Sequence, residues 1–140
     1  MSGVTLDSVS VGQQLPSQSF ELERLSMIRY AGASGDFNPI HYRDDFAKSV
    51  GLPGVIAHGM LTMGLSVQVA VDWVGDPGKV SDYSTRFTKM VDVDAEEGAV
   101  LVVTGKIAEI DTENNEVRVD LTTMFGEIAV LGKAQVRVRL

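Results

Sequence analysis

The chain has 140 residues, of which 44% are hydrophobic and 22% are charged, a composition that excludes wholesale disorder. Its length suits one hydrophobic core, and we expect residues 1–140 to form a single domain. A net charge of -7 disfavours nucleic acid and anionic membranes as partners, and the lack of cysteine excludes disulfides and thiolate chemistry.

One charge-free stretch, residues 49–71, is long enough to be compared with a membrane span. It contains Pro53 and four glycines, and its dense apolar part begins only at Met60. We therefore expect a helix buried within the fold and no membrane partner. The first fourteen residues lack the basic and apolar regions of a signal peptide, which favours a cytoplasmic location.

The first half of the chain predicts one strand and several helical segments. Residues 13–22 predict a strand, and a short helix follows from Leu25 to Gly32 or Gly35. Turn-forming residues at 35–39 predict a loop, and a helical turn should follow at 44–50. Residues 59–74 predict the strongest helix. They are apolar around most of the circumference, which indicates burial on nearly all sides.

The second half of the chain changes to a period of two, as in strands. Strands are predicted at 80–90, 99–110, 116–124 and 133–140, with a turn at 111–115. Alternation of apolar and polar residues indicates a sheet with one dry face, and short connections favour antiparallel pairing. The expected fold is α+β, a curved antiparallel sheet wrapped around one long central helix.

Asp36 and His41 lie five residues apart across a loop that contains Pro39. A carboxylate and an imidazole that converge can hold a water molecule and exchange protons with it. The alternative is an Asx-turn at Asp36, completed by Asn38 and Pro39, with His41 on the surface. The spacing by itself favours this structural interpretation.

His58 and Gly59 come immediately before the long apolar helix. Unpaired N–H groups at a helix N-terminus could polarise a carbonyl, and glycine would allow close approach of a ligand. Alternatively, Gly59 only allows close packing and His58 only caps the helix. The spacing does not decide between these interpretations.

Other chemical motifs are lacking. Two histidines without cysteine give no spacing of a structural zinc site, so no metal is expected. Neither a G-x-G-x-x-G nor a Walker sequence is present, and no G-x-S-x-G elbow occurs. The methionines of the long helix are expected as core residues.

Two motifs together resemble a known family. Tyr30 to His41 (YAGASGDFNPIH) and Ile56 to Leu61 (IAHGML) are similar to the MaoC-like dehydratases and (R)-specific enoyl-CoA hydratases. Residues 57–64 and 73–78 resemble, more narrowly, the beta subunits of actinobacterial (3R)-hydroxyacyl-ACP dehydratases. The resemblance implies the hotdog fold and reversible hydration of trans-2-enoyl thioesters, carried by CoA or an acyl-carrier protein.

The resemblance also implies roles for single residues. Asp36 and His41 would form the catalytic dyad, Asn38 and His58 would support it, and the Gly59 N–H would polarise the thioester carbonyl. No metal or redox cofactor is implied, because the CoA or phosphopantetheine arm belongs to the substrate. Many family members carry an acidic residue two places after the histidine, where this chain has Arg43; the next two residues, both aspartates, are candidate substitutes.

The resemblance further implies a dimer, formed with a second copy or with a related hotdog subunit. An apolar acyl tunnel is expected near Gly59, with candidate wall residues Met60, Met63, Gly64 and Val67; Gly64 could instead serve close packing. Three other functions stay open. These are a hotdog thioesterase, a non-catalytic or partner-dependent subunit, and an acyl-binding module without turnover.

Overall fold

The computed structural model describes residues 3–140 as three helices and six strands. In chain order these are β1 (Gln18–Leu22), α1 (Arg24–Ser34), α2 (Asp44–Ser49), α3 (Gly59–Val74), β2 (Val80–Phe87), β3 (Ala99–Asp111), β4 (Glu116–Phe125), β5 (Ile128–Ala129) and β6 (Leu131–Arg139). Short 3₁₀ turns lie at Leu6–Ser8, Pro39–His41 and Pro77–Lys79. None of the helices within residues 3–140 has the length and apolar character needed to cross a bilayer.

The strands form one antiparallel sheet in the order β1-β3-β4-β6-β2, with β5 added to the end of β4. Its register places Val103 opposite Thr123 and Val119 opposite Val136, all of them buried. The side chains of β3, β4 and β6 alternate between this inner face and solvent. Helix α3 packs on the inner face, so the predicted α+β hotdog arrangement is confirmed.

Helix α3 has the predicted bounds, but its predicted burial is wrong. Its fully buried residues are Thr62, Ser66, Val69, Ala70 and Val74, which form one face at helical spacing. Met60 on another face is 59% exposed, and Gly64 is also exposed. The sheet covers a single side of the helix, and Met60 and Gly64 on the opposite side are exposed among the described residues 3–140.

Two predicted strands are shorter than expected. The strand predicted at 13–22 begins at Gln18, and Gln14 contributes only an isolated bridge to Lys106. Pro16 lies between them and has no N–H to donate to a ladder. The strand predicted at 80–90 ends at Phe87, because the next two residues both donate to the carbonyl of Val130 instead.

Candidate active site

The loop after α1 is built by short side-chain-to-backbone bonds. Gly35 ends α1 with φ of 78°, a left-handed conformation that glycine adopts without steric cost. Asp36 Oδ1 accepts the Asn38 N–H at 3.1 Å, and Asn38 Oδ1 accepts the Ile40 N–H at 3.2 Å. The turn predicted by the structural interpretation is therefore present, and Asn38 shapes the loop as expected.

His41 does not lie on the surface, as that interpretation expected, but is only 7% exposed. Its Nδ1 lies 2.8 Å from the carbonyl oxygen of Ile56. Since a carbonyl can only accept, Nδ1 carries a proton, so in the neutral ring Nε2 has the free lone pair. The position of His41 thus depends on a backbone group fifteen residues further along the chain.

His41 Nε2 faces the free carboxylate oxygen of Asp36. The distance from Nε2 to Asp36 Oδ2 is 3.8 Å, too long for a direct hydrogen bond. One oxygen atom of a water or hydroxyl group fits between them within hydrogen-bonding distance of both. The Asp36 side chain is 52% exposed, so the site is open to solvent on this side.

The His58 side chain contacts both His41 and Asp36. Its ring stacks on that of His41 with centroids 3.8 Å apart and planes 23° apart, and Tyr30 packs edge-on against it. His58 Nε2 donates to the backbone carbonyl of Asp36 at 3.1 Å, while Nδ1 is buried without a partner. His58 occupies the N-cap position of α3, as the capping interpretation expected, but its side chain makes no capping hydrogen bond there.

Burial lowers the pKa of His58 below its ordinary value, and the nearby His41 lowers it further. The carbonyl of Asp36 acts in the opposite direction and more weakly than burial. His58 is therefore a neutral ring near pH 7. Its contacts suit a residue that fixes Asp36 and His41 rather than one that transfers protons.

Asp36, His41 and His58 offer potential ligand atoms that all lie within 4.8 Å of one another. Imidazole lone pairs lie in the ring plane, and these two planes are stacked and nearly parallel. Their lone pairs therefore do not converge on one point, and each ring also uses one nitrogen as a donor to a carbonyl. The arrangement fits proton transfer better than metal chelation.

Gly59 is the first residue of the 16-residue helix α3. The N–H groups of a first helical turn have no acceptor within the helix, and the helix dipole is positive there. A Cβ at Gly59 would lie 3.1 Å from two ring carbons of Phe87, so glycine lets this ring approach the helix end. The N-terminus of α3 can therefore stabilise an oxyanion next to His41.

A cavity of about 130 Å³ lies beside His41 and Gly59. Its other lining residues are Ile56, Ala57, Thr62, Phe87, Lys89, Met90, Val91, Val130 and Leu131. A larger groove of about 700 Å³ is lined by Arg24, Asp44 and Val55 among others, and it touches neither Asp36 nor His41. The smaller cavity is therefore the one that adjoins His41, although Asp36 does not line it.

The four predicted tunnel residues do not line this cavity. Met60 and Gly64 are exposed on α3, and Met63 and Val67 are half-buried. A Cβ at Gly64 would meet no atom within 4 Å, so the close-packing interpretation of Gly64 is wrong within this chain. Their role as an acyl wall stays a prediction.

Sequence reasoning missed the cavity residues contributed by other elements. Thr62 could have been found, since Thr62 and Ser66 are polar residues four apart in a mostly apolar helix and share the buried face. Phe87, Met90 and Val130 carry no comparable signal, because they come from strand ends and connections that only the fold brings together.

The two aspartates after Arg43 have separate contacts. Arg43 forms an exposed ion pair with Asp45, which lowers the pKa of Asp45 and raises that of Arg43. Asp44 instead pairs with Arg24 of α1. The departure at Arg43 therefore leaves the dyad geometry intact.

Comparison with known proteins assigns the family. Residues 8–124 match the family described as "MaoC like domain". The chain belongs to this family, as the two sequence motifs predicted. The 3-hydroxybutyryl-CoA dehydratase of Methylorubrum extorquens is 32% identical over 120 residues, which cover 84% of this chain and 74% of that protein.

Two further relatives are longer than this chain. The peroxisomal enoyl-CoA hydratase 2 of Arabidopsis thaliana is 42% identical over 60 residues, which cover 41% of this chain and 19% of that protein. A solved MaoC-like dehydratase superposes with a TM-score of 0.95 at 40% identity, over 99% of this chain and 42% of its own. The chain thus spans about a fifth of the first relative and less than half of the second.

Proposed function

We propose that this MaoC-like domain is a hydro-lyase that interconverts trans-2-enoyl thioesters and (3R)-hydroxyacyl thioesters. The observation that carries the proposal is the free His41 Nε2, 3.8 Å from Asp36 Oδ2 and beside the N-terminus of α3. Two relatives are named for the two directions of such a reaction, an enoyl-CoA hydratase and a 3-hydroxybutyryl-CoA dehydratase.

In the hydration direction, the dyad holds a water molecule against C3 of the enoyl thioester. His41 Nε2 accepts one proton of the water, Asp36 Oδ2 accepts a hydrogen bond from the other, and the oxygen forms a bond to C3. The C2–C3 π electrons move toward the thioester oxygen. The proton held on His41 Nε2 then passes to C2, so both hydrogens and the oxygen of the water have been added and the dyad is unchanged.

Negative charge grows on the thioester oxygen during this step. The Gly59 N–H and the dipole of α3 stabilise that charge, as an oxyanion hole does, and one such donor is typically worth ~10²–10³ in rate. Dehydration follows the same path in reverse. All groups used are side chains or backbone N–H groups, so the proposed reaction requires no metal or redox cofactor from the protein.

The test follows the enoyl absorbance of crotonyl and longer enoyl thioesters, each on CoA and on an acyl-carrier protein. Asp36→Asn and His41→Ala should each reduce turnover by ~10² or more, and circular dichroism checks that His41→Ala still folds, since His41 is buried. Asp45→Asn is the matched control, since Asp45 is exposed and forms its ion pair with Arg43 on the surface. Near wild-type turnover of either dyad variant would contradict the mechanism.

The same assay separates the other candidate functions. Release of free thiol without loss of enoyl absorbance would indicate a thioesterase. Thioester binding without turnover would indicate an acyl-binding module. Turnover that appears only after a related hotdog subunit is added would indicate a partner-dependent subunit.

We also propose that the chain acts as a dimer, with a second copy or a related hotdog subunit. Strand β2 is an edge of the sheet and leaves one row of backbone groups available for pairing. The exposed side of α3, including Met60 and Gly64, would be covered in the same assembly. Light scattering should give a mass of at least two chains, and a fully active monomer would contradict this proposal.

A further inference from the structure

An ion pair outside the dyad links helix α1 to helix α2. Arg24 donates from Nη1 and Nη2 to the two carboxylate oxygens of Asp44, each at 2.9 Å. Arg24 Nε also donates to the carbonyl of Val93 at 2.7 Å. A bidentate pair of this kind fixes the orientation of both groups, and the third bond ties it to the backbone.

The Asp44 carboxylate continues this chain of bonds to the segment before α3. Its Oδ1 accepts the Val55 N–H at 3.0 Å. A Cβ at the neighbouring Gly54 would lie 3.0 Å from the same oxygen, so glycine permits this approach. The bonds from Arg24 and then from the Val55 N–H hold the pKa of Asp44 below its ordinary value, which keeps Asp44 charged near pH 7.

Val55 directly precedes the residue that holds His41. The Ile56 carbonyl accepts from His41 Nδ1, and the Ile56 N–H donates to Ile40 at 3.1 Å. The Val55 carbonyl accepts from Val93 at 3.0 Å, and the Ala57 N–H donates to Val91 at 2.9 Å. The Val55 N–H thus donates to a side chain, whereas the N–H groups of Ile56 and Ala57 donate to backbone carbonyls.

We propose that Asp44, oriented by Arg24, is a positioning residue for His41. It holds the Val55–Ile56 segment so that the Ile56 carbonyl keeps the proton on His41 Nδ1 and leaves Nε2 free. The inference rests on the proposed function for its kinetic consequence, but the state of the His41 ring can be measured without any turnover. Asp44 itself contacts no reacting atom.

The kinetic test compares two substitutions of Asp44 with one of Asp45. Asp44→Ala removes the acceptor of the Val55 N–H, whereas Asp44→Asn keeps an oxygen at that place. Asp45→Ala is the matched control, because it breaks the neighbouring Arg43 pair on the surface. Asp44→Ala should lower kcat for crotonyl thioester hydration by ~10- to 100-fold with a much smaller change in KM. Asp44→Asn should recover most of the loss, and Asp45→Ala should match the wild type.

The spectroscopic test reads the His41 ring in the resting protein by ¹⁵N NMR. The wild type and Asp45→Ala should show a protonated Nδ1 and a bare Nε2, and Asp44→Ala should show a mixture of the two tautomers. An Asp44→Ala protein with wild-type kcat, or with the wild-type tautomer alone, would overturn the proposal. A loss that Asp44→Asn does not recover would also overturn it.

If Asp44→Ala does not fold, Arg24→Gln replaces it, because this change removes the bidentate donor and leaves Asp44 in place. Wild-type kcat and tautomer in Arg24→Gln would overturn the proposal, and a mixed tautomer would support it. If no version of the protein hydrates any enoyl thioester, the proposed function fails. The tautomer comparison still decides the positioning role in that case.

Discussion

Two buried hydroxyl groups join α3 to the sheet, and removing the one on α3 should cost more stability than removing the one on the sheet. Ser66 Oγ and Thr123 Oγ1 lie 2.6 Å apart, and both residues are fully buried. Ser66 Oγ also lies 2.7 Å from the carbonyl oxygen of Thr62, which can only accept. Ser66 therefore donates its one hydrogen to Thr62 and accepts the hydrogen of Thr123.

The direction of these bonds sets the magnitudes. Ser66→Ala leaves the Thr123 hydroxyl buried without an acceptor, which should lower the free energy of unfolding by ~1–3 kcal/mol. Thr123→Val has nearly the same shape and leaves the Ser66–Thr62 bond intact, so we expect a loss of about 1 kcal/mol. The double variant contains no orphaned donor. Its loss should be smaller than the sum of the two single losses by about 1 kcal/mol or more.

Urea unfolding followed by circular dichroism measures the free energy of unfolding of the wild type, the two single variants and the double variant. Thr122→Val is the matched control, since Thr122 is the exposed neighbour on β4 and its substitution should change stability by less than ~0.5 kcal/mol. Additive single losses would refute the coupling. A larger loss in Thr123→Val than in Ser66→Ala would refute the assigned direction of the hydrogen bond.

Three further predictions concern single positions. Burial lowers the pKa of His58 below 6.5, so on acidification the unfolded chain binds this proton before the folded protein does. The free energy of unfolding should therefore fall as the pH drops through about 6.5. His58→Phe should remove that part of the pH dependence in urea titrations. Gly98→Ala should lower the free energy of unfolding by about 3 kcal/mol or more, because φ is +68° and a Cβ would lie 2.1 Å from the carbonyl oxygen of Leu22. The control Gly126→Ala, with φ of +60° and open space around the position, should lower it by only about 1 kcal/mol. If α3 forms an acyl wall, Gly64→Leu should reduce activity on long acyl chains ~10- to 200-fold more than on four-carbon chains; equal losses at all lengths would exclude that wall.

The sequence predicted the loop of the dyad well because its bonds are local. Asp36, Asn38 and Pro39 form their turn within five residues, and turn chemistry of that range is visible in a sequence. The burial of His41 was not visible in the same way. It depends on the Ile56 carbonyl and on stacking with His58, two contacts that exist only after the chain folds back.

The prediction that α3 is buried on nearly all sides was wrong for a different physical reason. Hydropathy counts apolar side chains around a helix, but the side that becomes buried is the one the sheet contacts. Here that side includes Thr62 and Ser66, where the Ser66 hydroxyl donates to the backbone carbonyl of Thr62 and accepts from Thr123, while Met60 remains outside. A buried polar group with a partner is tolerated, so polarity alone did not mark the solvent side.

Met60, Phe87 and Met90 are large hydrophobic side chains that are exposed near Gly59 and the cavity. Phe87 and Met90 line the cavity beside His41, and Met60 follows Gly59 in α3. Stabilisation of an oxyanion by the Gly59 N–H is stronger where water is excluded, since water screens the interaction. A partner that covers these side chains would bury apolar surface and exclude water from Gly59 at the same time. The surface that is unfavourable to expose is therefore also the surface that the proposed chemistry needs covered, so the proposed dimer and the proposed reaction would depend on the same contacts.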